Sequence, residues 1–322
     1  MEKPRVYIHR VEWCPAELYL TQANRDLLAS FAEVNDCGDG REALNHEQMV
    51  ANLKEADGVL VLNGAHTDEI TAEAMVEAGT PQIVSVAHWW GPQCTEMAAR
   101  LKGTVVKVVD ASFPCNEAVA EWALGALISG LRKVDLFNHQ MKNGVQWPEW
   151  SGTAGQLNGS TVGLVGIGRV GGELLKYLKP FDVRVLVFDP FLSAEKAAEL
   201  GVESVDLDTL LKTADAISLH APVIDETKGM IGRRELSLIR DGALLVNSAR
   251  AWLLDNDAFR EEMASGRFRA YLDVFDPEPP EEDDILRTLD NVVMTPHVAG
   301  TTDMMFERCG RFAIEALRDA LV

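Results

Sequence analysis

A chain of 322 residues is long for a single domain and suits two. Its 47% hydrophobic and 25% charged residues are ordinary for a soluble globular protein. A net charge of −20, from 50 acidic and 30 basic residues, argues against nucleic acid or an anionic membrane surface as partner, since both need a basic face.

The first hundred residues alternate short apolar runs with helical patterns. Val6–His9, Gly58–Leu62, Gln82–Val86 and Thr104–Val108 read as strands, with helices around 22–31, 44–54, 71–78 and 93–102 between them. Such a βα series predicts a parallel sheet with helices on its faces. A long helical stretch follows, from Glu117 to about Lys142, with Asn116 as its cap and Asn143-Gly144 as its end. At about 40 Å it could reach between domains or pack on a second subunit. The pattern Trp147-Pro148-Glu149-Trp150-Ser151-Gly152-Thr153 reads as a linker. A second series then begins, with strands at 161–165, 183–188, 215–219, 243–247, 268–272 and 291–294. Its helices include 169–179, closed by Pro180, and one from Asp255 through Ala264 that stops near Gly266. Six alternating strands fit one doubly wound nucleotide-binding domain.

Five scattered cysteines without a CxxC pair suit a reducing compartment and predict no metal site. The opening MEKPRVYIHR lacks the apolar core of a signal peptide, and the apolar run Trp122–Leu131 is too short to span a bilayer. The expectation is a cytoplasmic protein without membrane contact.

The stretch STVGLVGIGRVGGELLKYL carries GxGxxG as Gly166, Gly168 and Gly171, after an apolar strand and at the start of an amphipathic helix. That context predicts a pyrophosphate on the helix N-terminus. Asp189 ends the next strand, 18 residues after Gly171. A carboxylate there takes ribose hydroxyls and repels a 2′-phosphate, which favours NAD over NADP. The alternative is a structural glycine turn with an exposed aspartate.

Three later motifs place polar residues after apolar strands: Arg250 in ALLVNSAR, Asp273 and Glu278 in YLDVFDPEPP, and His297 in VVMTPHVAG. Carboxyl ends of strands line the ligand crevice of doubly wound sheets. Arg, Glu and His converging there suit hydride transfer to a 2-oxo acid: His as proton donor, Glu holding the imidazole, Arg gripping the carboxylate. Singly, Arg250 could be a structural ion pair, His297 a capping or core histidine and Glu278 part of an acidic loop.

With GLVGIGRVGGEL (163–174), VFDP (187–190), SLHAPVIDETKGMI (218–231), ALLVNSAR (243–250), LDVFDPEP (272–279), TPHVAG (295–300) and NEAVAEWALGALISGLRK (116–133), the sequence resembles the D-isomer-specific 2-hydroxyacid dehydrogenases, which include phosphoglycerate dehydrogenases and glyoxylate/hydroxypyruvate reductases. The resemblance implies two Rossmann-like doubly wound α/β domains with the active site in the cleft between them. A flavodoxin-like substrate domain would comprise 1–109 and 300–322, and an NAD-binding domain 110–299, including a long helix 116–142. It implies Arg250 on the substrate's carboxylate and carbonyl, His297 as general acid/base and Glu278 as its partner. It places Gly166, Gly168, Arg169, Val170, Gly171, Asp189, His220, Pro222, Thr227, Ser248, Ala249, Asp273 and Gly300 on NAD, and Asn63, Gly64 and Ala65 with Arg250 and His297 on the substrate. The partners implied are a small anionic 2-oxo or 2-hydroxy acid and a second copy in a homodimer.

The first domain departs from the family. Val86-Ala87-His88-Trp89-Trp90-Gly91 stands where a GxGxxN-like segment is expected. Asn63-Gly64-Ala65-His66 lacks the arginine or serine often seen in that loop, and in the second domain Ala251 replaces the glycine that usually follows the catalytic arginine. These departures bear on the substrate rather than on hydride chemistry. An NADH-sensing corepressor-like protein and a formate dehydrogenase are the competing functions of this fold. The full Arg–Glu–His set speaks against the first, and the acidic Glu278, where glutamine is usual, against the second.

Overall fold

The computed structural model describes residues 2–10, 14, 16–37, 43–63, 67–79, 82–88, 93–145, 147 and 154–322. Gly64, Ala65 and His66, Trp89-Trp90, and most of the 147–153 linker lie outside these residues. The chain forms two compact units, 1–115 with 301–322, and 116–300.

The first unit is built on a five-stranded parallel sheet: β1 (Arg5–His9), β2 (Glu33–Asp36), β3 (Gly58–Leu62), β4 (Ile83–Ala87) and β5 (Lys107–Asp110), in the order β2-β1-β3-β4-β5. This is the flavodoxin-like winding. Because both faces are covered, β3 and β4 are buried throughout, and their sequences are near-continuous apolar runs broken in β4 by the buried Ser85. Tyr7, Val59, Val61, Val84 and Val86 face Met49, Leu53, Met75 and Met97 of the intervening helices. The C-terminal helix Asp303–Leu321 covers the other face, lying on β3 and β4. It comes so close that a Cβ on Gly58 would sit 2.9 Å from Leu317.

The second unit carries a seven-stranded parallel sheet: β6 (Thr161–Val165), β7 (Arg184–Phe188), β8 (Glu203–Ser204), β9 (Ala216–Leu219), β10 (Leu244–Asn247), β11 (Arg269–Leu272) and β12 (Val292–Met294). Its order, β12-β11-β10-β9-β6-β7-β8, is the dinucleotide-binding winding extended by one strand, with its switch point between β6 and β9. Alternate residues of each strand feed two cores. Val162, Leu164, Val187, Val246 and Tyr271 enter one, and Leu186, Ile217, Leu219, Leu245 and Leu272 the other.

Three sequence expectations need correction. The single helix from Glu117 to Lys142 is two helices, Phe113–Leu131 and Val134–Lys142, separated at Lys133, which is left-handed (φ 51°). The turn lets Asp135, in the first turn of the second helix, meet Arg269 Nη2 and Tyr271 Oη, both at 2.5 Å. Asn116 therefore lies inside a helix and is not its cap. The strand expected at 104–108 is Lys107–Asp110, because Val105 is 91% exposed and apolar only in composition. The two short polar strands β2 and β8 carry no apolar signal and were not expected.

Candidate active site

In the second sheet the last residues of six strands stand in one row. Phe188 pairs with Val165, Val165 with Leu219, Leu219 with Asn247, Asn247 with Leu272 and Leu272 with Met294. The next residue of each strand is therefore delivered to one carboxyl edge: Asp189, Gly166, His220, Ser248, Asp273 and Thr295. Five of these six were candidates from sequence. Gly168, Pro222, Arg250 and His297 each follow two residues later.

At the glycine loop, Gly166 has φ +91°, and a Cβ there would sit 2.9 Å from the His220 carbonyl and the Ala221 nitrogen. A Cβ on Gly171 would lie 2.6 Å from the Gly166 oxygen, so helix and strand meet only because neither has a side chain. Gly168 has open space around it and caps the helix Arg169–Leu178 with no side-chain bond. The positive end of that helix's dipole favours an anion. Asp189 closes the loop: Oδ2 accepts from Ile167 N (3.0 Å) and Oδ1 from Phe191 N (2.9 Å).

Two polar atoms at this edge are buried without a partner among the described residues, Ser248 Oγ and His220 Nε2. Burial pushes the His220 imidazole down to about 4, so the ring is neutral. Thr227 Oγ1 instead donates within its own turn, to Pro222 O (2.6 Å), and accepts from Ile224 N (3.2 Å). An uncapped helix start, an acid beside it and orphaned polar atoms along the same edge fit a dinucleotide lying across the carboxyl ends of the strands.

The turn after β12 holds His297 at φ +53°. The buried carboxylate of Asp273 makes that backbone possible. It accepts from Thr295 Oγ1 (2.5 Å), Val298 N (2.9 Å) and Ala299 N (2.8 Å), bracketing the histidine on both sides. His297 Nδ1 lies 2.9 Å from Glu278 Oε2. A carboxylate accepts, so Nδ1 carries the proton and Nε2 is the reactive nitrogen. Arg250 has a different brace, unrecognised from sequence. Asn247, fully buried, donates through Nδ2 to Arg250 O (3.0 Å) and accepts from Ala249 N through Oδ1 (3.1 Å). The guanidinium donates to Ala249 O (2.6 Å) and meets no carboxylate among the described residues. The structural ion pair that was the alternative for Arg250 is absent among them.

In the first unit, Asn63 follows β3 at φ +64° and is buried. Its Oδ1 accepts from Tyr19 Oη (3.0 Å) and its amide donates to Ala87 O (2.7 Å).

Residues 124–299 match the family model described as D-isomer specific 2-hydroxyacid dehydrogenase, NAD binding domain. A D-3-phosphoglycerate dehydrogenase of Archaeoglobus fulgidus is 34% identical over 263 residues, 81% of this chain and 49% of that one. A hydroxypyruvate reductase of Thermotoga maritima is 34% identical over 281 residues, 86% of this chain and 88% of its own. The chain thus spans about half the length of the phosphoglycerate dehydrogenases it matches. Among solved structures, a D-isomer specific 2-hydroxyacid dehydrogenase from Lactobacillus delbrueckii in NAD-complexed form superposes with a TM-score of 0.80 at 21% identity, covering 98% of this chain and 97% of that chain.

Proposed function

The chain belongs to the D-isomer-specific 2-hydroxyacid dehydrogenase family, and from that premise we propose that it reduces a small 2-oxo acid to the D-2-hydroxy acid with NADH. The observation that carries this reading is Arg250: a permanent cation at the carboxyl edge of the second sheet, with no carboxylate partner among the described residues, on a chain whose net charge is −20. A substrate carboxylate supplies the missing anion.

Bound NAD(H) supplies or accepts the hydride at nicotinamide C4. Asp189 and the start of the helix Arg169–Leu178 would hold its ribose and pyrophosphate. Arg250 grips the carboxylate and carbonyl oxygen of the substrate, fixing C2 for attack. As the carbonyl gains the hydride, protonated His297 gives the Nε2 proton to the developing alkoxide, and in the reverse direction neutral Nε2 takes it back. Glu278, on Nδ1, keeps the ring in that tautomer and stabilises its charged form. The relatives' names span phosphoglycerate and hydroxypyruvate, so the substrate is proposed as a class, a short 2-oxo acid.

The chain would act as a homodimer in a reducing compartment. Val134 and Met141, seven residues apart on one helix face, are half-exposed, and all five cysteines are free. No helix among the described residues is long and apolar enough to cross a membrane.

Loss of NADH absorbance on a panel of 2-oxo acids tests the activity. Arg250→Ala and His297→Ala should each lower kcat/KM by about 10²–10⁴-fold while leaving the NADH dissociation constant within a few-fold of wild type. Tight NADH binding with no turnover of any acid would favour a sensor instead.

A further inference from the structure

We propose that His88, Cys94 and Asp110 in the first unit form a binding site for one divalent transition-metal ion of the zinc class. The three residues come from a strand end, the helix after it and the end of the neighbouring strand. His88 follows the last residue of β4, Asp110 ends the neighbouring strand β5, and Cys94 is the second residue of the helix Gln93–Arg100. One ligand atom from each lies within 4.8 Å of the other two.

The donor set selects the ion. Imidazole nitrogen and thiolate sulfur exclude calcium and magnesium, which need oxygen, and suit zinc, cobalt or nickel. Zinc sites with three protein ligands keep a fourth position for water or another ligand. His88 Nε2 lies 3.1 Å from Asp110 Oδ1. Two ligand atoms about 2.0–2.1 Å from a tetrahedral ion stand about 3.3 Å apart, so this edge of the coordination polyhedron is already set. The Cys94 sulfur needs only a shift of about 1 Å to close the other two edges.

Charge and burial support the same reading. His88 is 4% and Cys94 8% exposed. The Asp110 carboxyl is held well below the usual carboxylate range, first by His88, then by the Ser112 hydroxyl and amide. Ser112 Oγ and N donate to Oδ1 at 2.6 and 2.9 Å, the kind of outer bond that orients a metal-ligating carboxylate. A thiolate, a carboxylate and a neutral imidazole cancel a 2+ ion, leaving no net charge to bury. The ion would pin the carboxyl ends of β4 and β5 to the start of the following helix.

The experiment uses the full chain stripped by chelator and titrated with ZnCl₂ in a calorimeter, and with CoCl₂ in an absorption spectrometer. One zinc per chain is expected. Cys94→Ser and Asp110→Asn should each weaken it at least tenfold, and a cobalt–thiolate charge-transfer band should vanish in Cys94→Ser. Cys94→Ser is nearly isosteric, and its melting in the absence of metal checks that it folds. Zinc should raise Tm in wild type and not in this variant. Absence of stoichiometric zinc, or equal affinity in wild type and Cys94→Ser, would overturn the site and leave an ordinary His–Asp hydrogen bond beside a core thiol. NADH binding, read in parallel, is independent of either outcome.

Discussion

The Arg250 backbone is braced through Asn247, and its guanidinium donates to Ala249 O rather than to a carboxylate among the described residues. Two residues on, Trp252 staples the neighbouring 222–229 segment to the same turn. Its Nε1 donates to Ile224 O (3.2 Å), its carbonyl accepts from Gly229 N (2.8 Å), and Lys228 Nζ sits 4.6 Å from the ring centroid. The Trp252 side chain thereby steadies the segment that carries Pro222 and Thr227, proposed to lie on NAD. An exposed cation–π contact and one hydrogen bond are together worth about 1–2 kcal/mol. Trp252→Ala should therefore raise the KM for NADH about 5–30-fold, with kcat changed far less, and Trp252→Phe should recover part of it by keeping the ring. An unchanged KM would separate the staple from cofactor binding. Arg250, Asp189 and His297 were singled out in the sequence because each follows an apolar strand, and Glu278 because it stands five residues beyond Asp273. The braces Asn247 and Thr295 are legible only in hindsight, as polar residues at strand ends. His88, Cys94 and Asp110 match no metal-ligand spacing, since it takes the pairing of β4 with β5 to bring Asp110 to the other two.

Elements followed their composition wherever burial had one consistent side. β3 was legible as a continuous apolar run and β4 as one broken by Ser85, and the helix Asn256–Ser265 starts at Asp255 and stops at Gly266 as its caps require. Edge strands such as β2, with the sequence EVND, bury little and left no pattern. The helix break at Lys133 was hidden because its cause lies more than a hundred residues away, at Arg269 and Tyr271. The Arg269 side chain is only 12% exposed and relies on Asp135 for its counter-charge. Removing one member of such a pair strands the other, which costs about 3–5 kcal/mol, here nearer the lower figure since Asp135 is partly exposed. Asp135→Ala should lower the calorimetric midpoint of the second unit by roughly 6–12 °C, given its size. Tyr271→Phe removes one hydrogen bond and should cost about 1 kcal/mol. Equal midpoints for Asp135→Ala and wild type would show that the turn holds without this anchor.

At the scale of the whole molecule, stability against acid sets two effects in opposition. The chain carries −20 at neutral pH, so the loss of net negative charge on acidification relieves self-repulsion and favours the folded state. His220 acts the other way. Burial depresses its folded pKa to about 4, against roughly 6.5 in the unfolded chain. The unfolded state therefore binds the proton first. The contribution of neutral His220 is fully present above about pH 6.5, falls as pH drops toward 4, and is lost below that. Its full size is on the order of 3 kcal/mol. His220→Asn removes the titration and the orphaned Nε2 while keeping a small polar side chain. Without NAD, the difference in Tm between wild type and His220→Asn should be constant above pH 7. Between pH 6.5 and 4.5 it should move in favour of the variant by about 2–3 kcal/mol, or several degrees. Parallel Tm–pH curves for the two proteins would show that His220 does not resist protonation. Added NAD should raise Tm at every pH, because a ligand that binds only the folded state opposes unfolding.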